Sequence, residues 1–101
     1  MNSLKTMVKM EDEVGLIASI YVMSIKLLVS NKQTSNPYSH IIYIHRVDEA
    51  LRLIDEHHRR VIQNDFINQK HQWWKHFYSA ERYLSLRHEA VGSFLMHFYE
   101  G

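Results

Sequence analysis

Residues 79–98 have the sequence SAERYLSLRHEAVGSFLMHF, and this stretch decides the fold class. Its apolar side chains recur at steps of three and four residues, which is the period of one face of an α-helix. The inner row predicted by this spacing consists of Tyr83, Leu86, Ala90, Val91, Phe94 and Phe98. Ser79 is a good N-cap and Glu81 falls in the first turn, so we predict a last helix from Ala80 to about Phe98.

Upstream segments carry the same period. A second helix, from about Tyr38 to Ile54, is predicted by five apolar residues at helical steps, namely Ile41, Ile44, Val47, Leu51 and Ile54. Asp55 is predicted to cap a third helix, whose inner face would include Val61, Ile62 and Phe66. Residues 68–77 are polar apart from three aromatic side chains, and they predict either an extension of the third helix or a short separate helix.

The N-terminal part predicts one long helix over residues 12–30. Carboxylates oppose the positive end of the helix dipole, so the acidic cluster at residues 11–13 marks the expected start, with residues 1–10 as a frayed arm. The helix is apolar on more than one face and must be covered by neighbours, which we expect to include a second copy of the chain. We therefore predict a homodimer, with Ile17, Tyr21, Ile25 and Leu28 as protein-interaction residues.

Composition supports helices throughout. Three glycines, one proline and the absence of Asn-Gly or Asp-Gly pairs leave little material for hairpins. We predict an all-α fold of four to five helices, with a long apolar N-terminal helix and a C-terminal helical bundle. Residues 31–36 are polar and precede Pro37, so they form the one predicted linker. It separates the helix at 12–30 from a unit at 38–101 within a single domain, 1–101.

The same totals narrow the classes of function. The absence of cysteine excludes disulfides and thiolate sites and suits a reducing compartment, so we expect a cytoplasmic protein. Val14 to Val29 is shorter than the ~20 residues of a membrane span and contains Lys26, so we expect no membrane segment. The acidic cluster before it also disfavours a secretory signal, whose leading region should be basic. A net charge of +1 gives no bulk attraction to nucleic acid.

Catalytic and metal-binding patterns are missing from the sequence. It has no Gly-rich phosphate loop, no paired-carboxylate motif and no nucleophile elbow, so we do not expect an enzyme. Eight histidines raise the question of metal, but neighbours such as His57 and His58 point to different helix faces. The pair His71 and His76 has a spacing of five, which is poor for two ligands on one helix. We expect no metal and no cofactor.

Residues 73–91, with the sequence WWKHFYSAERYLSLRHEAV, resemble the end of sigma-factor region-4-like helix-turn-helix proteins. That group includes small phage-type transcriptional regulators of Gram-positive bacteria and short proteins of mollicutes. The resemblance covers about residues 45–98. Its best matches are Tyr78-Ser79, Tyr83, Leu86-Arg87, Ala90-Val91 and Phe94-Leu95. It implies that the unit at 38–101 is a helix-turn-helix bundle.

The resemblance also implies a site. The last helix would lie in the major groove of double-stranded DNA with Ser79 at its N-terminus, and Arg82 and Arg87 would face the DNA. Lys75 and His76 would lie near a phosphate, and Tyr83 belongs to the same DNA-binding set. The implied function is in transcription, through contact with DNA, with RNA polymerase, or with both.

An alternative stays open, because the sequence departs from the family pattern where DNA would be read. Ala80, Glu81 and Ser85 replace basic or hydroxyl residues, and Glu89 follows in the next turns. An acidic side chain at the front of a recognition helix repels phosphate. The second hypothesis is a helical protein-interaction or dimerisation module that keeps the frame and has lost DNA reading.

Overall fold

The computed structural model describes residues 3–30 and 37–100. Its four α-helices are α1 (Ser3–Val29), α2 (Pro37–Leu53), α3 (Glu56–Val61) and α4 (Ala80–Glu100). Between α3 and α4 lie a π-helical turn, Ile62–Ile67, and a 3-10 turn, Trp73–His76. No strand occurs in the described ranges, so the predicted all-α fold is confirmed. The predicted linker at 31–36 lies outside the described residues.

One core joins the helices. α1, α2 and α4 pack against one another, and α3 packs on α4. The largest fully buried apolar side chains of this core are Val14, Val47, Val61, Ile62, Leu86, Val91 and Phe94. They come from every α-helix and from the π-helical turn, so no helix is held by its own propensity alone.

α4 begins where its sequence predicts. The Ser79 hydroxyl oxygen accepts a hydrogen bond from the backbone N–H of Arg82 at 3.1 Å, and this satisfies one of the free donors of the first turn. Five of the six residues of the predicted inner row are buried, and Tyr83 is half-buried. The helix continues to Glu100, two residues beyond the predicted end.

α1 begins earlier than predicted. It starts at Ser3, so the expected frayed arm is wrong for residues 3–10. The acidic cluster lies in the middle of the helix, where Glu11 accepts hydrogen bonds from Arg87 and Glu13 accepts one from the Tyr99 hydroxyl. Glu11 and Glu13 therefore bind partners on α4. These contacts, and not the dipole of α1, account for the position of the two carboxylates in the sequence.

The connection from α3 to α4 is irregular. Asp55 caps α3 by accepting a hydrogen bond from the His57 N–H, as its sequence predicts. The chain then widens into the π-helical turn, and the loop after it contains Gln69 and Gln72 at φ of 51° and 59°. These left-handed conformations cost free energy for residues other than glycine, and surrounding contacts must hold them in place.

Across residues 3–30 and 37–100, none of the helices combines the length and hydropathy that a bilayer crossing requires.

Candidate functional site

Asp65, on the π-helical turn, is the centre of a polar network that the sequence did not predict. Its side chain is only 8% exposed. Oδ1 accepts a hydrogen bond from Trp73 Nε1 at 2.7 Å, and Oδ2 accepts one from the Tyr83 hydroxyl and one from Arg87 Nη1 at 2.6 Å. A single carboxylate therefore joins the π-helical turn, the 3-10 turn and α4.

Arg87 occupies the other side of this network. Its guanidinium donates to Glu11 Oε1 from Nη2 at 2.9 Å and lies 4.6 Å from the centre of the Phe66 ring. Burial alone would lower the pKa of Arg87, but its hydrogen bonds with Glu11 and Tyr83 outweigh this and raise that pKa. The predicted outward orientation of Arg87 is wrong. The physical reason is that two carboxylates from distant parts of the chain hold the guanidinium against the protein.

Tyr83 also faces the protein. Burial, and then its hydrogen bond to Asp65, raises the pKa of the Tyr83 hydroxyl to about 12. Its ring stacks on Trp74, with ring centres 4.6 Å apart and planes within 10° of parallel. The hydroxyl and the ring are thus both engaged within the protein, in keeping with the place of Tyr83 in the predicted inner row, and its assignment to the DNA-binding set stays a prediction.

The other residues predicted for DNA lie at the surface. Lys75 and His76 end the 3-10 turn and are exposed, and Ser79 is exposed while it caps α4. The Arg82 side chain is 56% exposed, and its Nη1 lies 3.8 Å from a carboxylate oxygen of Glu89. The structure leaves these four side chains accessible, and their assignment to a DNA-binding site stays a prediction.

The residues predicted as a dimer seam lie mainly on the inner side of α1. Ile17 is buried in the core, which corrects its assignment to an exposed seam. Tyr21 packs against the core and donates to Asp48 Oδ1 at 2.6 Å, and burial followed by this hydrogen bond raises the pKa of Tyr21 to about 12. Ile25 and Leu28 are half-buried. The sequence alone does not show which apolar face of α1 meets the core, because the same helical period fits both.

A second apolar row lies on a neighbouring face of α1, since Leu16, Ile20 and Leu27 each precede an inner-side residue by one position, a rotation of about 100°. We call Leu16, Ile20, Met23 and Leu27 the outer row. They follow one another at steps of four, three and four residues, so they share one face of the helix. Leu16 is 61% exposed and Met23 52%, whereas Ile20 and Leu27 are half-buried. The sequence shows this row through the same helical spacing of apolar residues that predicts α1.

Ser24 and His40 form a polar contact between α1 and α2. The Ser24 hydroxyl oxygen lies 3.1 Å from His40 Nδ1, and Ser24 is 1% exposed. A serine nucleophile needs access to substrate and a third group that orients its histidine. Ser24 lacks this access, and no carboxylate of the described residues bonds to His40, so we interpret the contact as structural.

Histidine and carboxylate side chains do not converge on a metal-sized site in the part of the chain that the structure describes. His57, for example, pairs with the Tyr78 hydroxyl at 2.6 Å, and His88 lies 2.9 Å from the sulfur of Met7. These two contacts join neighbouring parts of the fold, His57 on α3 to the segment before α4 and His88 on α4 to α1.

Comparisons with known protein families, curated proteins and solved structures find no match for this chain. The resemblance to sigma-factor region-4-like proteins therefore stays a prediction that rests on residues 45–98. Function has to be argued from the surfaces of this molecule.

Proposed function

We propose that this protein is a non-enzymatic helical module that binds another protein through the outer side of α1. The observation that carries the proposal is the outer row, in which Leu16 and Met23 are more than half exposed. Isolated apolar side chains are normal at a surface, but a row with helical spacing is the pattern that meets a partner helix. The cytoplasm suits this role, since the chain has no cysteine to oxidise.

The outward face of α4 favours protein binding over DNA reading. With Arg87 held by Glu11 and Asp65, the exposed side chains there include Glu81, Leu84 and Glu89, and the one exposed arginine of α4, Arg82, lies 3.8 Å from Glu89. Affinity for DNA comes largely from neutralising phosphates, which acidic side chains oppose. This supports the second hypothesis, a helical protein-interaction module that has lost the ability to read DNA.

Matched substitutions test the proposal. Met23 and Met96 are exposed to similar extents, 52% and 49%, but Met96 lies on a different helix, α4, and is not part of the outer row. We expect a tagged chain carrying Met23→Glu to lose a partner protein that both the wild type and Met96→Glu retain when isolated from the native cell. The proposal fails if no retained protein depends on Met23.

Sedimentation tests whether that partner is a second copy. A homodimer that uses the outer row should become a monomer in the Met23→Glu variant and stay a dimer in Met96→Glu. A wild-type chain that sediments as a monomer at high concentration contradicts the homodimer but leaves a different protein as partner.

A second candidate function, contact with DNA or RNA polymerase in transcription, is favoured by one specific observation. Lys70, Lys75 and Arg82 are exposed around the 3-10 turn and the first turn of α4, and no acidic residue lies between Asp65 and Glu81. Such a surface could hold phosphates at a helix N-terminus.

Fluorescence anisotropy on a mixed-sequence DNA duplex tests this candidate at low and at higher salt. If DNA is bound, affinity falls steeply with salt. Each of Lys75→Ala and Arg82→Ala should then make the negative slope of log K against log salt less steep by about 0.9. Absence of binding at low salt removes DNA from the candidates. Isolation of polymerase subunits with the chain tests the other partner.

A further inference from the structure

A groove runs between the C-terminal half of α1 and the π-helical turn. It has a volume of about 460 Å³. Five of its eight lining residues are apolar, namely Ala18, Val22, Met23, Phe66 and Ile67, and the other three are Ser19, Lys26 and Gln69. The stretch of α1 from Ala18 to Lys26 covers eight steps of helix, or about 12 Å. A partner helix that presents anchors at positions i, i+4 and i+7 spans a similar length, so the groove fits about two helical turns.

Among the described residues, the groove is lined by one basic residue and no acidic residue. Its walls come from two segments without acidic residues, one between Glu13 and Asp48 and the other between Asp65 and Glu81. Lys26 is the one ionisable side chain among the residues that line it, and it is exposed. The loop that forms one wall at Gln69 continues into Lys70, which is also exposed.

We propose that the groove binds an amphipathic helix of another protein, with apolar anchors on one face and acidic side chains beside them. Of the outer row, Met23 alone lines the groove, which therefore lies beside that row. The inference rests on the proposed protein-binding function and names the chemistry of the partner. The apolar lining residues receive the anchors, and Lys26, with Lys70 next to Gln69 in the sequence, attracts the flanking carboxylates. A second copy docked by the same surface would bring like charges together, which disfavours self-association there.

The test uses the full chain and two labelled synthetic peptides of about 18 residues, each long enough for five helical turns. Both carry leucines at i, i+4 and i+7, with flanking glutamates in one and flanking lysines in the other. Fluorescence anisotropy should show that the glutamate peptide binds at least tenfold more tightly than the lysine peptide. Binding of the glutamate peptide should weaken as salt rises.

Variants locate the binding. Met23→Glu should weaken binding of the glutamate peptide at least tenfold, whereas Met96→Glu should leave it unchanged. Lys26→Glu should reduce the preference for the glutamate peptide by about tenfold, because the charge that selects it is reversed. All three positions are exposed, and circular dichroism melts check that each variant is folded.

Several results overturn this inference. They are equal affinity for the two peptides, equal loss in Met23→Glu and Met96→Glu, no effect of Lys26→Glu, or no peptide binding at all. Dissociation of a homodimer by Met23→Glu overturns it in favour of a second copy, and binding to phosphatidylserine vesicles in place of the peptide overturns it in favour of a lipid surface. If a Met23-dependent protein partner is isolated while the peptide does not bind, the proposed function stands and this inference fails.

Discussion

Replacing Arg87 with alanine should destabilise the protein far more than replacing Arg82, although both residues lie on α4. Arg87 bonds to Glu11, Asp65 and Tyr83, and its side chain is 25% exposed. Arg82 is 56% exposed, and its nearest carboxylate is 3.8 Å away on Glu89. The pair of variants therefore compares a held guanidinium with a solvated one.

The expected size follows from these contacts. Hydrogen bonds to charged groups contribute about 1.5–3 kcal/mol each when their partners are buried, and Asp65 is nearly buried. Solvent reduces the contribution of the Glu11 contact to stability, because Glu11 is 28% exposed. In the variant, Asp65 still accepts hydrogen bonds from Trp73 and Tyr83, which lowers the cost of losing Arg87. We expect Arg87→Ala to cost about 2–3 kcal/mol, or roughly 10–20 °C in melting temperature. Arg82→Ala should stay within about 0.5 kcal/mol of the wild type.

Thermal and urea unfolding, followed by circular dichroism, measure both variants under the same conditions. A third variant, Arg87→Met, keeps much of the apolar stem and removes only the charge and its hydrogen bonds. It should lose most of what Arg87→Ala loses. The described network is refuted if Arg87→Ala melts like Arg82→Ala, because an outward-facing arginine would behave in that way.

Other regions give further expectations. Burial and carboxylate partners raise the pKa of Tyr21 and Tyr83 to about 12. The folded state therefore favours the neutral hydroxyls, and the resulting contribution to stability is complete below about pH 10. It should disappear as the pH rises through about 12. Urea unfolding across that range should show that the free energy of unfolding falls less steeply with pH in Tyr83→Phe than in the wild type. An identical fall in both proteins would contradict this role of Tyr83. Ser79→Ala should cost about 1 kcal/mol by removing the cap of α4, while Ser85→Ala on its exposed face should be nearly neutral; equal effects would contradict the cap. Phe94→Ala should cost about 3–5 kcal/mol in urea unfolding, because a fully packed ring leaves a cavity, and a loss below about 1 kcal/mol would place Phe94 outside the core.

Helical periodicity predicted the parts of the fold that depend on local sequence. α4 begins at the predicted Ala80, and the predicted inner row supplies much of the core. α2 lies within one residue of its predicted bounds at both ends. The π-helical turn could not be predicted in this way, because its backbone depends on contacts that its residues make with α1 and α4.

The orientation of Arg87 shows where the prediction of the site failed. Tyr83, Arg87 and Val91 follow one another at steps of four, so the period places the arginine beside the inner row. A charged residue there needs a partner, and the sequence does not identify one. Asp65 is 22 positions away and Glu11 is 76 positions away. Only the tertiary fold brings these carboxylates to the guanidinium.

The sequence also does not show which of the two apolar rows of α1 is exposed. Tyr21 and Ile25 on the inner side and Leu16 and Met23 on the outer side have similar spacing and are all apolar or aromatic, so hydropathy cannot rank them. What separates them is the rest of the fold: α2 and α4 cover the inner side, and Asp48 binds the Tyr21 hydroxyl. Because these helices leave Leu16 and Met23 uncovered, the search for a partner should begin at the outer row.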